Sequence, residues 1–239
     1  MKRLRAALAD PAVRLLSVDL FDTLLLRGTR PEFVRFADVA RQQHAALGCV
    51  SPGAERLLAA RLRHTRRAYA AARAAEGEVR FDAILADICA EFALPAERVE
   101  LLRQVELDYE TAHLRPNRAL AAVLAADGRP WVVASDTPLR AEDLATLLRR
   151  LLPGLPPPPI LASADIGRTK RDGGLFDHLR ATAGRPADSI LHLGDNPHSD
   201  IRMARRHGLR CLHLPRPAWW RLLHRLRAEQ SRRRLRRLG

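Results

Sequence analysis

The sequence predicts an α/β protein: a parallel sheet with helices on both faces and one inserted all-helical segment. Two observations predict the sheet. Short apolar runs at Leu15–Val18, 131–134 and 190–193 each end on polar residues, namely Asp19, Ser135 and the pair Gly194-Asp195. Runs of this length bounded by polar or turn residues read as buried strands. Helix-like segments separate them, and the alternation of strand and helix gives a Rossmann-like sheet whose ligands collect at the carboxyl ends of its strands. The third observation is that the pattern from 31 to 113 is almost wholly helical, which predicts an insertion between the first and second strands.

The elements follow in order. After the first strand come Leu24-Leu25-Leu26 and a polar loop at 27–30. Four helices are predicted at 31–47, 52–75, 81–92 and 95–113, with prolines where a first helical turn tolerates them and with Ser51 and Asp82 near two starts. Packed outside the sheet, they form a cap. The organisation predicted is an α/β core from 1–28 plus 115–239, a helical cap from 29–114, and a basic C-terminal helix and tail from 216–239. The core resumes with a helix at 117–126, the turn Asp127-Gly128 and the strand ending at Ser135. Thr137-Pro138 reads as an N-cap and a proline in the first helical position, which would place Ser135 beside a helix N-terminus that favours anions. The proline run at 153–159 separates the next helix from a strand at Ile160–Ala162.

A chain of 239 residues with 47% hydrophobic content can bury one sizeable core and a smaller appended unit. No apolar run approaches the length of a membrane span, and the basic start at 2–5 is stopped by Asp10-Pro11 rather than extended into a secretion signal. Cys49, Cys89 and Cys211 are odd in number and far apart, as expected of reduced thiols in a cytoplasmic setting. The formal charge of +14 is uneven, since 216–239 holds nine arginines against Glu229 alone. Trp219, Leu222, Leu223 and Leu226 have helical spacing, which predicts that this helix docks on the core. A basic tail can attract nucleic acid or an anionic membrane; no aromatic residue interleaves the final arginines, so a solvated end is the expectation. Among 41 basic residues, Lys2 and Lys170 are the lysines, and an internal lysine in an arginine-rich chain marks a position suited to a compact ammonium.

Taken in order, Val18-Asp19-Leu20-Phe21-Asp22-Thr23-Leu24, Val133-Ala134-Ser135-Asp136, Thr169-Lys170, and Gly194-Asp195-Asn196 through Ser199-Asp200 resemble the four motifs of the haloacid dehalogenase-like hydrolases. The wording around Phe21-Asp22-Thr23-Leu24-Leu25 and 170–176 resembles a bacterial branch often found with surface-polysaccharide glycosyltransferases. The resemblance implies a phosphatase acting on a small phosphorylated metabolite, such as a sugar phosphate, with a glycosyltransferase as a conceivable partner. It implies that Asp19 attacks phosphorus to form an aspartyl-phosphate that water then hydrolyses. Mg²⁺ would be held by Asp19, Asp195 and the backbone carbonyl of Phe21. Ser135, Asp136 and Lys170 would bind the phosphate, while Asn196 and Asp200 would orient the inner residues.

One position departs from the pattern. Phosphatases of this superfamily usually carry a second aspartate two residues after the nucleophile, where this chain has Phe21. Asp22 substitutes for it only if the backbone loops there, because successive side chains on an extended strand point to opposite sides. A missing general acid costs about 10²- to 10⁴-fold in rate. Three readings therefore stand: a phosphatase that tolerates the loss, another reaction on the same fold, and a non-catalytic module that binds a phosphorylated ligand or a glycosyltransferase. The retained Gly194-Asp195 favours a metal and argues against a dehalogenase. His192 is predicted to be packed and hydrogen-bonded, and His198 to sit in a solvated loop.

Overall fold

A computed structural model describes residues 2–48, 51–75 and 77–238, with side chains described as far as 229. Cys49 lies outside the described residues. In chain order the elements are α1 (Lys2–Leu8), β1 (Leu15–Val18), β2 (Leu25–Leu26), α2 (Glu32–Ala46), α3 (Ala54–Ala74), α4 (Phe81–Glu91), α5 (Arg98–His113), β3 (Arg115–Pro116), α6 (Arg118–Asp127), β4 (Trp131–Ser135), α7 (Ala141–Leu151), β5 (Ile160–Ala162), α8 (Ser163–Ile166), α9 (Gly174–Ala183), β6 (Ile190–Gly194), α10 (Ala204–Arg206), β7 (Arg210–His213) and α11 (Ala218–Leu238). A π-helical turn at Pro197–Met203 leads into α10. The chain divides into an α/β unit, built mainly from residues up to 26 and from 115–216, and a helical unit built from 27–75, 79–114 and the segment from 217 on.

In the α/β unit a sheet runs in the order β5-β4-β1-β6-β7, with every pairing parallel. All residues of β1 and β6 are buried. Because strand side chains alternate between faces, burial of every position means that both faces are covered, as the apolar runs predict. On one face Leu15 and Ile190 pack with Phe176 and Leu179 of α9 and with Met203, Ala204 and Leu209. From β1 the chain builds outward through β4 to β5, then returns to build β6 and β7 on the other side. The reversal lies at β1 and β6, where open α/β sheets form their ligand crevice.

The short antiparallel pair β2·β3 joins Leu25 to Pro116 and Leu26 to Arg115. Asn117 reinforces it, donating from its backbone to Leu24 O at 2.8 Å and from Nδ2 to Thr23 O at 2.9 Å. Its Oδ1 also caps α6 by accepting from Leu120 N at 3.2 Å. One residue thus ties the start of α6 to the turn that follows β1.

The helical unit packs α2 on α3, α3 on α4 and α2 on α5, with α11 against α2. Its buried glutamates are paired: Glu110 with the half-buried Arg35, and Glu106 with Arg61 at 3.3 Å. The Arg61 guanidinium also lies over the rings of Phe36 and Phe81, at 4.7 and 4.4 Å from their centroids.

Two local expectations are corrected. The helix expected at Thr137-Pro138 begins at Ala141, where Arg140 and Asp143 form the cap; Thr137 instead closes a tight turn, accepting from Leu139 N at 3.2 Å. The apolar positions of the C-terminal helix do not form a buried docking face, since Trp219, Leu222, Leu223 and Leu226 are all exposed. The predicted amphipathic pattern is real, but a different side of α11 makes its contacts.

Candidate active site

The sheet brings the three strand-terminal residues together. Asp19 follows the central strand β1, Ser135 ends β4 on one side, and Asp195 follows β6 on the other. Val18 is in register with both Val133 and Leu193, so Asp19 emerges level with the ends of its neighbours, and its backbone N–H is held by Leu193 O at 2.9 Å.

Lys170 enters this edge from the loop between α8 and α9. Asp136 places it: the Asp136 carboxylate accepts from the backbone N–H groups of Lys170 at 2.5 Å and Arg171 at 3.2 Å. Thr169 and Asp172 close the loop, with Thr169 Oγ1 to Asp172 Oδ2 at 2.8 Å and Gly174 N to Asp172 Oδ1 at 2.7 Å. Gly173 turns it at φ +92°, where an added Cβ would meet His207 Nε2 at 2.0 Å. The expectation that Asp136 binds phosphate is therefore corrected for its side chain. A carboxylate accepts hydrogen bonds and repels phosphate, and this one is engaged in fixing the lysine loop.

The Lys170 ammonium, 2% exposed, donates to Asp19 Oδ1 and Asp200 Oδ1, each at 2.6 Å. Asp200 is the better-served carboxylate. Its Oδ1 also meets His192 Nε2 at 3.3 Å, and its Oδ2 accepts from Asn196 N at 2.9 Å. Burial works against its ionisation, but Lys170 and the His192 hydrogen bond hold its pKa well below the usual carboxylate range. Burial pushes the Asp19 pKa up to about 7, because the single ammonium is shared and the Asp200 charge adds to the effect. Burial also works against the Lys170 charge, yet the surrounding carboxylates raise its pKa above the ordinary value.

His192 extends this network across the sheet. Ser17 and His192 are a register pair of β1 and β6, and Ser17 Oγ lies 2.8 Å from His192 Nδ1. Burial lowers the pKa of His192 and keeps the ring neutral. With Asp200 ionised, the ring proton belongs on Nε2 facing it, and the Ser17 hydroxyl donates to Nδ1. The packing predicted for His192 is thus found, and its partner Ser17 is a residue that sequence reasoning missed. The available signal was two polar residues within otherwise apolar strands.

Asn196 starts the π-helical turn, its side chain accepting from His198 N at 2.9 Å and Ser199 N at 3.2 Å. Pro197 in the first helical position suits this start. The turn sets Asp200 against Lys170, with Asn196 N donating to Asp200 Oδ2 at 2.9 Å. His198 lies in this turn beside Arg202, away from the buried network.

Two further features bear on the chemistry. Ser135 Oγ is buried and has no hydrogen-bond partner among the described residues, an arrangement that costs about 1–3 kcal/mol unless a ligand supplies one. Asp22 adopts φ +65°, the left-handed region, so the backbone does loop after β1. Its Oδ1 lies 3.7 Å from Arg216 Nε. Burial raises the pKa of Asp195 to about 6, and the Asp22 and Asp200 charges add to that. Arg216, expected to begin the basic tail, is instead part of the α/β unit beside Asp22. Phe21 is buried and bridges to Leu25 within the same turn.

Carboxylate oxygens of Asp19, Asp195 and Asp200 lie within 4.8 Å of one another. Three acidic side chains face one ammonium, and the pKa values of Asp19 and Asp195 are raised by that imbalance together with burial. A hard divalent cation relieves both, and an all-oxygen donor set fits Mg²⁺. Asp19 and Asp195 would hold it. Both Asp200 oxygens are already engaged by protein groups.

No protein-family model and no curated protein matches the sequence. Solved structures do match in fold. A 2-haloacid dehalogenase from Pseudomonas syringae pv. tomato aligns with TM-score 0.56 and 19% identity, over 84% of this chain and 86% of that one. The HAD-hydrolase YfnB from Bacillus subtilis, bound to magnesium, aligns with TM-score 0.50 and 18% identity, over 84% of this chain and 86% of that one. CbbY from Rhodobacter sphaeroides in complex with phosphate aligns with TM-score 0.50 and 16% identity, over 86% of this chain and 87% of that one. The chain therefore has the α/β fold of the haloacid dehalogenase-like hydrolases.

Proposed function

We propose that the protein is a Mg²⁺-dependent phosphatase acting on a small phosphorylated metabolite, with Asp19 as nucleophile. The observation that carries this reading is the joint placement of Asp19, Lys170 and the unpartnered Ser135 hydroxyl at one sheet edge. Lys170 holds Asp19 Oδ1 at 2.6 Å, which fixes the carboxylate that would attack phosphorus. As the Asp19–phosphorus bond forms, the ester oxygen leaves with its electron pair and takes up a proton. Water then attacks phosphorus, releasing inorganic phosphate and regenerating the carboxylate. Lys170 offsets the charge of both Asp19 and the phosphate, and Ser135 donates to an equatorial oxygen. Bound Mg²⁺ would supply further positive charge between carboxylates and phosphate. The magnesium-bound and phosphate-bound relatives of the same fold support this chemistry.

Asp22 takes part of the role that Phe21 cannot. With its Oδ1 3.7 Å from Arg216 Nε, it would serve as a base that activates water rather than as an acid for the leaving group. The substrate must then leave readily or bring its own proton. A sugar phosphate in a cytoplasmic setting fits the motif resemblance. A second reading, a module that binds a phosphorylated ligand or a glycosyltransferase without turning it over, rests on Phe21 alone.

The test is phosphate release from a panel of phosphorylated metabolites by the wild type and Asp19→Asn, with Mg²⁺ and with EDTA, alongside thermal unfolding in both conditions. Turnover by the wild type with Mg²⁺, lost in the variant and in EDTA, is expected, together with a Mg²⁺-dependent rise in Tm that Asp195→Asn removes. Absence of turnover on every compound, with ligand-dependent rises in Tm retained, would establish the binding module instead.

A further inference from the structure

On α11, Trp219, Leu222, Leu223 and Leu226 are 62%, 59%, 40% and 53% exposed. At about 100° per residue the four fall within an arc of about 100°, so they form one continuous stripe. This exposure is not want of anchorage. Trp220 Nε1 donates to Arg27 O at 3.1 Å, its ring stacks on His224 with centroids 4.9 Å apart, and Arg227 hydrogen-bonds Thr29. Positions 220, 224 and 227 lie on a different arc from the stripe. The helix is pinned along one side within its own unit and presents another.

What flanks the stripe narrows the occupant. Arg221 and Arg225 are exposed beside it, and the segment 216–239 carries nine arginines against Glu229 alone. A second copy of the chain is a poor fit, because pairing two stripes would bring two sets of arginines together. A nucleic acid would neutralise the arginines but leave the apolar stripe in water. An anionic bilayer surface offers both complements, with headgroup phosphates for the guanidinium groups and an acyl boundary for the leucines. The headgroup level also suits the amphipathic indole of Trp219.

We propose that α11 is a membrane-docking helix that lies in the headgroup plane of an anionic bilayer, with Trp219, Leu222, Leu223 and Leu226 facing the acyl region and Arg221 and Arg225 pairing with lipid phosphates. No helix among the described residues is long and apolar enough to cross a membrane; the contact is peripheral. It is independent of any chemistry at Asp19.

The experiment is co-sedimentation of the full chain with phosphatidylcholine vesicles, with and without phosphatidylglycerol, read together with tryptophan emission. Binding is expected to vesicles containing phosphatidylglycerol, with a blue shift of emission, and to weaken as salt rises. The double variant Arg221→Gln/Arg225→Gln is expected to bind about fivefold more weakly per arginine removed. The triple variant Trp219→Ser/Leu222→Ser/Leu223→Ser is expected to lose both binding and shift. Circular dichroism checks that it folds, and single Trp219→Ser, expected to lose the shift, serves if it does not. Absence of wild-type binding to either vesicle would overturn the proposal. So would undiminished binding by the serine variants, with polyuridylate competing for the same arginines, which would assign the helix to nucleic acid. A dimer in solution that the serine variants dissociate would assign the stripe to self-association.

Discussion

A Cβ added to Gly194 would lie 2.3 Å from Cγ of Asp200. The last residue of β6 is therefore glycine because the carboxylate that holds Lys170 and His192 sits directly against its backbone. Gly194→Ala must push Asp200 away, and with it one of the two acceptors of the Lys170 ammonium. The expected result is a loss of about 1–3 kcal/mol in urea unfolding, as in other overpacked sites, and a fall of at least about tenfold in phosphate release if chemistry depends on the Asp200–Lys170 pair. Wild-type stability in the alanine variant would mean that Asp200 moves freely and has no fixed place in the site.

Lys170→Met leaves Asp19 and Asp200 buried without their shared cation. Breaking one partner of a buried ion pair costs about 3–5 kcal/mol, and urea unfolding in EDTA is the measurement. Adding Asp200→Asn to Lys170→Met is expected to restore part of that loss, since it removes one of the two stranded charges. Additive losses would show that the two side chains do not interact. Lys170→Arg is expected to lose phosphate release, because a planar guanidinium does not fit a position built to contact two carboxylates at 2.6 Å through one nitrogen.

On the proposed mechanism Phe21 stands where a proton donor for the leaving group would be, so leaving-group quality is expected to dominate turnover. p-Nitrophenyl phosphate should react far faster than an alkyl phosphate, and Phe21→Asp should narrow the difference by up to about 10²- to 10⁴-fold. Equal rates on the two substrates in the wild type would rule this out. Asp22→Asn is expected to slow the water step instead, so that phosphate accumulates on Asp19 and becomes visible in the intact-protein mass.

Much of the fold could be read from the sequence because β1, β4 and β6 are short apolar runs ended by polar residues, a pattern that survives without knowledge of the neighbours. The four helices of the helical unit lie within a few residues of their expected bounds, because helical periodicity and capping residues are likewise local signals. The start of α7 was misplaced at Thr137-Pro138 because proline and threonine also suit a turn, and the choice depends on Ser163, whose Oγ accepts from Thr137 N at 2.8 Å. Lys170 is marked in the sequence as an internal lysine among arginines, but the engagement of Asp136 with its loop joins residues 34 positions apart.

The sequence by itself determined which residues collect at this edge of the sheet: Asp19, Ser135 and Asp195 by the ends of apolar runs, Lys170 as the internal lysine of an arginine-rich chain, and Asp200 by the motif resemblance. Only the tertiary structure decided how they divide their roles. Asp200 keeps its charge and Asp19 is left under-compensated because one ammonium lies between them and His192 adds its proton to Asp200 alone. That arrangement depends on the pairing of β1 with β6, which sets Ser17 against His192 across 175 residues of chain. The left-handed turn at Asp22 and its approach to Arg216 are likewise products of packing. Periodicity reports which face a side chain takes; it carries no information about which distant charge will meet it there.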